Sequence, residues 1–224
     1  MTFRRPSPPA DFDRLAVHYD WIEAVCAAGC LRRARNAFLA ELTPVSPIGL
    51  IGEGTGRFLE RLARSDSAAE ITVVDASRAM LERARRRVAP TFRSRARVDY
   101  VQADVRLWEP ACEAFGGLAT HFLLDCFPSG ELPGLIAAFA RGLRPGGLWV
   151  VSDFRIPSGV MHRPARALVA LLYAGFRRAT GLGAQSLADP TPMLEDAGME
   201  LRDRRLFAAG VVYSELWRKR TASV

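Results

Sequence analysis

Short apolar runs alternate with amphipathic segments through the middle of this 224-residue chain. Runs of four to eight apolar or β-branched residues indicate buried strands, and apolar residues that recur at helical spacing indicate helices. Strands are predicted near residues 48–51, 71–75, 98–102, 119–125 and 147–153. Helices are predicted near residues 56–64, 77–88 and 131–142. Because parallel strands need crossover helices, this alternation predicts a doubly wound α/β fold with a mostly parallel sheet.

Further elements are predicted on both sides of this core. Residues 1–9 are basic and proline-rich and are expected to be a disordered leader, followed by an N-terminal helical cap over residues 10–43. An insert follows the fifth strand at residues 157–188, with a loop to residue 164 and an apolar helix over residues 165–180. Two final strands are predicted at residues 199–207 and 211–217, so that residues 10–224 form a single domain.

The most informative segment joins the first strand to its helix. Gly52, Gly54 and Gly56 follow the apolar run directly. Glycine suits a turn whose backbone takes positive φ or lies against a ligand, because a Cβ would clash there. The free N–H groups of the next helix favour an anionic or polar ligand group. The dinucleotide fingerprint would need glycine in place of Arg57, and the phosphate loop would need a lysine, so neither pattern fits.

The remaining G-x-G-x-G pattern resembles motif I of the class I S-adenosylmethionine (SAM)-dependent methyltransferases. Later segments resemble that family's other landmarks in the same order. Asp75 ends the second predicted strand roughly 20 residues after the glycines, where a ribose-binding acid belongs. Asp104 ends the third strand, Asp125 ends the fourth, and Leu143-Arg-Pro-Gly-Gly matches the turn into the fifth.

This resemblance covers roughly residues 12 to 217. It implies a Rossmann-like sheet of seven strands that closes with an antiparallel hairpin. It also implies that the insert covers the substrate. Among family members, the chain is most similar to the ubiquinone/menaquinone-biosynthesis and natural-product methyltransferases that act on small molecules.

The resemblance implies SAM as the cofactor and assigns its binding site. The glycine loop packs the methionine part of the cofactor, and the carboxylate of Asp75 accepts both ribose hydroxyls. Glu53 stands where many relatives carry cysteine or alanine, and it either contacts the cofactor's ammonium group or is solvated. The cofactor-binding positions implied in this way are Tyr19, Gly52, Glu53, Gly54, Thr55, Gly56, Asp75, Ala76, Met80, Asp104, Val105 and Asp125.

Methyl transfer from a sulfonium needs mainly positioning, because the cofactor already carries the activated methyl group. His18 and His162 are candidate bases, since both lie in elements that could cap the pocket and histidine suits proton transfer near neutral pH. Asp125 is a third catalytic candidate. His121 is predicted to begin the fourth strand, away from the ligand edge, and is assigned a structural role.

Asp125 and Asp153 support an alternative with a metal ion. Both end adjacent predicted strands and could meet, and paired carboxylates can hold Mg²⁺. Metal-dependent catechol O-methyltransferases resemble this arrangement, with acids after the fourth and fifth strands. Here Phe154 stands where those enzymes carry an asparagine ligand, so no metal ligand is assigned.

The net charge of +7 at first suggests a nucleic-acid partner. The basic residues are nearly all arginines spread along helices, which is typical of solvated helix faces; Lys219 is the only lysine. The fourth strand ends in Asp-Cys-Phe-Pro, unlike the [N/D]-P-P-[Y/F] of base-amino methyltransferases. The arginine-rich residues 83–97 leave peripheral membrane contact open, whereas no apolar run is long enough for a membrane span.

The cysteines bear on the compartment. Cys26, Cys30, Cys112 and Cys126 lack the spacing of a zinc site and are expected to be buried free thiols in a reducing cytoplasm. The sequence therefore predicts a cytoplasmic SAM-dependent methyltransferase acting on a small organic acceptor, with apolar acceptors among the candidates. A metal-dependent O-methyltransferase, a nucleic-acid methyltransferase and a non-catalytic SAM-binding module remain as alternatives.

Overall fold

The computed structural model describes residues 29–65, 70–89, 96–170 and 187–221. The helices are α1 (Cys30–Arg35), α2 (Leu39–Leu42), α3 (Arg57–Arg64), α4 (Arg78–Val88), α5 (Leu132–Gly142), α6 (residues 162–170) and α7 (Thr191–Asp196). The strands are β1 (Ile48–Ile51), β2 (Glu70–Asp75), β3 (Arg97–Gln102), β4 (Phe115–His121), β5 (Leu143–Phe154), β6 (Met199–Phe207) and β7 (Val212–Lys219). Short 3₁₀ turns occur at Leu124–Cys126, Gly159–Met161 and Ala208–Gly210.

Several predictions fall outside the described residues. They are the leader, the first part of the N-terminal cap with Tyr19 and His18, and the insert from residue 171 to residue 186.

The seven strands form one sheet in the order β3-β2-β1-β4-β5-β7-β6. Strands β1 to β5 pair in parallel, and β7 runs antiparallel to both β5 and β6. The chain runs outward from β1 to β3 and then returns to the other side of β1 for β4. Ligands of such sheets bind beyond the carboxyl ends of the strands at this reversal. The predicted seven-stranded sheet with its closing antiparallel hairpin is confirmed.

Two hydrophobic clusters cover the two faces of the sheet. In one, α5 and α7 pack on the sheet, with Phe139, Trp149 and Trp217 among its buried side chains. The other packs α2, α3 and α4 on the opposite face. The neighbours Leu50 and Ile51 belong to different clusters, because successive side chains of a strand point to opposite faces. Burial on both faces explains why the central strands are continuous apolar runs in the sequence.

The fourth strand is the largest error in the predicted boundaries, since it occupies Phe115–His121 instead of residues 119–125. Its two glycines have no hydrophobic signal. Gly117 pairs with both neighbouring strands and Gly116 lies at a register shift, and the chain ahead of β1 passes close to both. The Gly116 N–H donates to the carbonyl of Pro47 at 2.9 Å. A Cβ on Gly117 would lie 2.9 Å from the Cδ2 atom of Leu42.

The strand ends where Phe122 takes a φ of 56°, so that the apolar residues beyond it belong to a turn. His121 is therefore the last residue of β4 and lies at the ligand edge of the sheet. The prediction that it begins the strand, away from that edge, was wrong.

The insert also begins differently from the prediction. Residues 157–164 were expected to form a loop, but Gly159–Met161 is a 3₁₀ turn and α6 begins at His162. Pro164 fits the first turn of this helix, because the N–H that it lacks would have no partner there.

A glycine that is essential to this packing is Gly56, which precedes α3 with a φ of 79°. Its Cβ would lie 2.7 Å from the Cα and 2.8 Å from the Cβ of Ala84 in α4. We expect Gly56→Ala to lower the free energy of unfolding by about 2–4 kcal/mol, because left-handed backbone strain adds to overpacking between helices.

The matched control is Gly134→Ala, in an exposed position of α5 where a Cβ meets nothing within 4 Å. There alanine should raise the free energy of unfolding by up to about 1 kcal/mol, because it favours the helix over glycine. Urea unfolding of both variants measures the two effects. Effects of equal sign and size would contradict this account of the loop.

Candidate functional site

The glycine loop after β1 is joined to the acid at the end of β2. The Gly54 N–H donates to Oδ2 of Asp75 at 2.9 Å, and the Ser77 N–H donates to Oδ1 at 2.9 Å. The Asp75 side chain is buried at the carboxyl edge of the sheet. A carboxylate oxygen can accept more than one hydrogen bond, so Asp75 can hold the loop and also bind a ligand.

The loop leaves room for such a ligand on one side. Gly52 and Gly54 have φ values of 66° and 64°, which favour glycine. A Cβ on Gly52 would lie 2.6 Å from the Cδ1 of Leu123, whereas a Cβ on Gly54 would meet nothing within 4 Å. Thr55 is buried behind the loop. The backbone around Gly54 therefore borders open space, as a nucleotide-type ligand would require.

Glu53 has a role that the sequence analysis missed. Its Oε1 atom accepts hydrogen bonds from the N–H groups of Phe58 at 2.8 Å and Leu59 at 3.0 Å. Glu53 therefore caps α3 and satisfies two of the N–H groups that have no partner within the helix. Burial raises the pKa of Glu53 to about 7, against the opposing effects of these hydrogen bonds and of Arg35. An acid just ahead of a helix start was the available signal for a cap.

The other predicted cofactor-binding residues lie along the same edge. Asp104 follows β3 and forms a close ion pair with Arg106, at 2.6 Å between Oδ2 and Nη2. The hydrogen bonds from Arg106 lower the pKa of Asp104. Val105 and Met80 are buried, and Ala76 is exposed just before α4. Their contacts with a cofactor stay predictions.

Asp125 and Asp153 lie next to each other, which their predicted positions at the ends of adjacent strands allowed. Asp125 lies in the 3₁₀ turn after β4, four residues beyond the end of that strand, and was wrongly placed in it. Its N–H donates to Oδ2 of Asp153 at 3.1 Å, and the Phe154 N–H donates to Oδ1 at 3.0 Å.

The two carboxyl groups are also hydrogen-bonded to each other. Burial, together with the neighbouring charge of Asp125, raises the pKa of Asp153 well above its usual range. The protonated form of Asp153 is therefore favoured. Within the described ranges, no group of three or more histidine, cysteine, aspartate or glutamate side chains could hold a metal ion.

The histidines differ in position. His121 is buried, with Nδ1 3.0 Å from the Oγ atom of Ser152, which in turn lies 2.9 Å from the Oγ atom of Ser214. Its ring packs edge-on against Phe58 at 4.7 Å. Burial lowers the pKa of His121 well below its usual value, and the charge of Arg35 adds to this effect. His121 is therefore a neutral side chain packed inside the fold, whereas His162 is exposed at the start of α6.

The cysteine prediction was wrong at one position. Cys30 is buried and Cys126 is partly buried, but Cys112 is exposed; all three are free thiols. Among the helices of the described part of the chain, none combines the length and hydropathy of a membrane span.

Comparison with known proteins agrees with the sequence resemblance to SAM-dependent methyltransferases. Residues 50–147 match the family model of the methyltransferase domain. The chain is 32% identical over 152 residues to a carboxy-S-adenosyl-L-methionine synthase of Aeromonas salmonicida, and 29% identical over 153 residues to that of Escherichia coli O1:K1. These matches cover 66% of this chain and 59% of each relative. The chain thus spans about three-fifths of the length of these curated relatives.

Two solved structures share the fold. An N-methyltransferase, NodS of Bradyrhizobium japonicum WM9, in complex with S-adenosyl-L-homocysteine, has a TM-score of 0.61 at 20% identity, covering 85% of this chain and 88% of that one. The magnesium protoporphyrin IX methyltransferase of Synechocystis PCC 6803, with the same ligand bound, has a TM-score of 0.68 at 17% identity, covering 94% of both chains. At these identities the similarity establishes the fold.

The raised pKa of Glu53 makes stability depend on pH. Between pH 4.5, the ordinary pKa of glutamate, and about 7, the folded protein keeps a proton that the unfolded chain has lost. The free energy of unfolding should therefore fall as pH rises through this window and level off above it, by up to about 3 kcal/mol. Glu53→Gln, which keeps an acceptor for α3 but cannot ionise, should remove this dependence.

Unfolding by urea at a series of pH values measures the effect. Glu82→Gln is the control, because Glu82 is exposed and forms only i,i+4 pairs on the surface of α4. In this control the free energy of unfolding should depend on pH as it does in the natural protein. The interpretation of Glu53 fails if Glu53→Gln shows the same pH dependence.

Proposed function

We propose that this chain, which contains a class I methyltransferase domain, is a SAM-dependent methyltransferase that acts on a small-molecule acceptor. The observation that carries the proposal is the hydrogen bond from Gly54 to Asp75. It puts an open, positive-φ glycine turn and a buried carboxylate side by side at the reversal point of the sheet.

The residues present fit SAM. The turn around Gly54 has room for the methionine part of the cofactor, and Asp75 can accept hydrogen bonds from the ribose hydroxyls. Asp104 and Val105 follow the next strand outward, where the adenine would lie. When bound, SAM supplies a methyl group on a positively charged sulfur. The protein's own task is then to orient the acceptor, exclude water and, for some acceptors, remove a proton.

The acceptor would lie beyond β4 and β5, on the other side of the reversal point. The partly buried Asp125 is held there by Asp153 and is the best-placed candidate to orient the acceptor or take its proton. The start of the insert supports a covering role, because Ala165 and Val169 of α6 belong to one apolar cluster with Cys126 and Phe154. His162 and His18 remain candidate bases, and the free thiols favour a reducing, cytoplasmic compartment.

A second candidate function follows from the names of the relatives. Carboxy-S-adenosyl-L-methionine synthases are named for making a carboxylated form of the cofactor, and the match to one of them covers 66% of this chain. Mass spectrometry of reaction mixtures separates the two activities, because one yields a methylated acceptor and the other a carboxylated cofactor.

Asp75→Ala should weaken binding of S-adenosylhomocysteine at least tenfold. Losing two hydrogen bonds to a charged acceptor costs about 1.5–3 kcal/mol each, and tenfold is about 1.4 kcal/mol. Isothermal titration calorimetry measures the affinity, and circular dichroism confirms that the variant is folded. Asp99→Ala, on the outer strand β3, is the control and should bind normally. Unchanged affinity in Asp75→Ala would remove the ribose-binding role of Asp75.

Methyl transfer should be insensitive to EDTA. Both oxygens of Asp153 accept main-chain hydrogen bonds, and its raised pKa favours the protonated form, so that Asp153 and Asp125 form a poor site for Mg²⁺. Activity is compared before and after chelation and again after Mg²⁺ is returned. Loss with EDTA and recovery with Mg²⁺ would establish the metal-dependent alternative instead.

A further inference from the structure

A cavity of about 240 Å³ lies beyond the carboxyl end of β5, next to the start of β7. It is walled by the residues that follow β5, by β6 and β7, and by the segment that leads into α7. Polar and charged side chains make up much of this wall, namely Arg155, Asp189, Arg204, Tyr213 and Glu215. No role was assigned to any of them from the sequence.

Strand register explains why these side chains converge. Tyr213 pairs with Asp153 of β5, and Glu215 pairs with Arg204 of β6. Directly paired residues point to the same face, and so do residues two apart in a strand. Tyr213, Glu215 and Asp153 therefore share the face of the sheet on which α5 and α7 pack. They are far apart in the sequence, and only the antiparallel pairing of β7 brings them together.

The acids of this wall already have partners. Glu215 forms a 2.6 Å ion pair with Arg204 and accepts a hydrogen bond from Trp217 Nε1 at 2.8 Å. Asp189 accepts the N–H of Thr191 at 3.0 Å. Asp153, just behind Tyr213, has a raised pKa and accepts two main-chain hydrogen bonds. Each of these three acids therefore already accepts at least one hydrogen bond.

Two donors of this wall, Tyr213 and Arg155, have no acid as a partner among the described residues. There the hydroxyl of Tyr213 has no hydrogen-bond partner, and the side chain is only 5% exposed. Burial raises the pKa of Tyr213 well above its usual value, with the nearby acids adding to the effect, so that the hydroxyl keeps its proton. In the described part of the chain, no acid forms an ion pair with the guanidinium of Arg155. A buried donor without a partner costs folding free energy, so the Tyr213 hydroxyl favours a ligand that supplies the acceptor.

We propose that this cavity is the acceptor subsite of the enzyme and that it takes a small organic carboxylate, held by the guanidinium of Arg155 and the hydroxyl of Tyr213. Arginine matches a carboxylate with two parallel hydrogen bonds, and the tyrosine hydroxyl adds a third donor. The volume suits a small molecule. This inference rests on the proposed methyl transfer, for which it names the class of acceptor.

The position of the cavity fits an acceptor that reaches toward the cofactor. The strand order β1-β4-β5-β7 places the glycine loop, Asp125, Asp153 and Tyr213 in a row along one edge, with neighbouring strands about 4.8 Å apart. A carboxylate anchored at Tyr213 directs the rest of its molecule past Asp125 toward the methyl group. The separation between the anchored carboxylate and the methyl group thus sets how far the methyl-accepting atom must lie from that carboxylate.

Binding of benzoate to the protein saturated with S-adenosylhomocysteine tests the proposal, with benzamide as the neutral probe of the same shape. Titrations followed by NMR should show that benzoate binds more tightly than benzamide. Arg155→Gln should weaken benzoate binding by 10- to 100-fold and Tyr213→Phe by about tenfold, while benzamide binding changes little in either variant. Arg163→Gln is the control, because Arg163 is an exposed arginine of α6.

Stability provides an independent readout. Tyr213→Phe removes an unpartnered buried hydroxyl, so its midpoint of thermal unfolding should equal or exceed that of the natural protein, which separates lost binding from lost folding. Benzoate that binds no better than benzamide, or benzoate binding that survives both substitutions, overturns the carboxylate subsite. Failure to bind S-adenosylhomocysteine overturns the methyltransferase proposal itself, and that affinity is measured first in every variant.

Discussion

The hydrogen bond from the Gly54 N–H to Asp75 is the constraint on which the rest of the site depends. It joins the turn after β1 to the end of β2. The residue before it, Glu53, fixes the same turn to the first N–H groups of α3. Two consecutive residues thus tie the loop to a strand on one side and to a helix on the other. These contacts within the chain hold three glycines at positive φ in the turn that borders the proposed cofactor site.

Much of the fold could be predicted, because its signals are local. The strands β1, β2 and β3 are apolar runs bounded by polar residues, and each prediction was within one residue of the observed strand. The fourth strand could not be placed in this way. Its second and third residues are glycines, which contact the chain around Leu42 and Pro47, about 70 positions away in the sequence. The local sequence pattern gives no sign of such a distant contact. The same error in the bounds of the fourth strand put His121 at the wrong end of it.

Only part of the candidate site could likewise be predicted from local signals. The glycine spacing and the acids at strand ends identified Asp75, Asp125 and Asp153 as neighbours of one edge, since parallel strands bring their carboxyl ends together. The cavity beside Tyr213 was not foreseen, because it depends on which residue of β7 faces which residue of β5 and β6. Antiparallel register is set by packing and by the turn between the strands, and a shift of one residue would move Tyr213 to the other face.

The charges along this edge point to a common design. Glu53 and Asp153 are buried acids whose pKa values are raised, and Glu215 is neutralised by Arg204. Left ionised and unpaired, these groups would repel an anionic acceptor and would cost folding free energy. Protonation, or pairing with arginine, removes that repulsion. The acids nevertheless stay close to the place where a positively charged sulfonium would lie. Because a nearby cation favours the ionised form of an acid, binding of the cofactor would lower the pKa values of the acids nearest to it, whereas Glu215 beside the cavity would stay paired with Arg204. The edge can therefore hold a cation at the glycine loop and an anion at Tyr213 at the same time, which is the combination that methyl transfer from a sulfonium to a carboxylate-bearing acceptor requires.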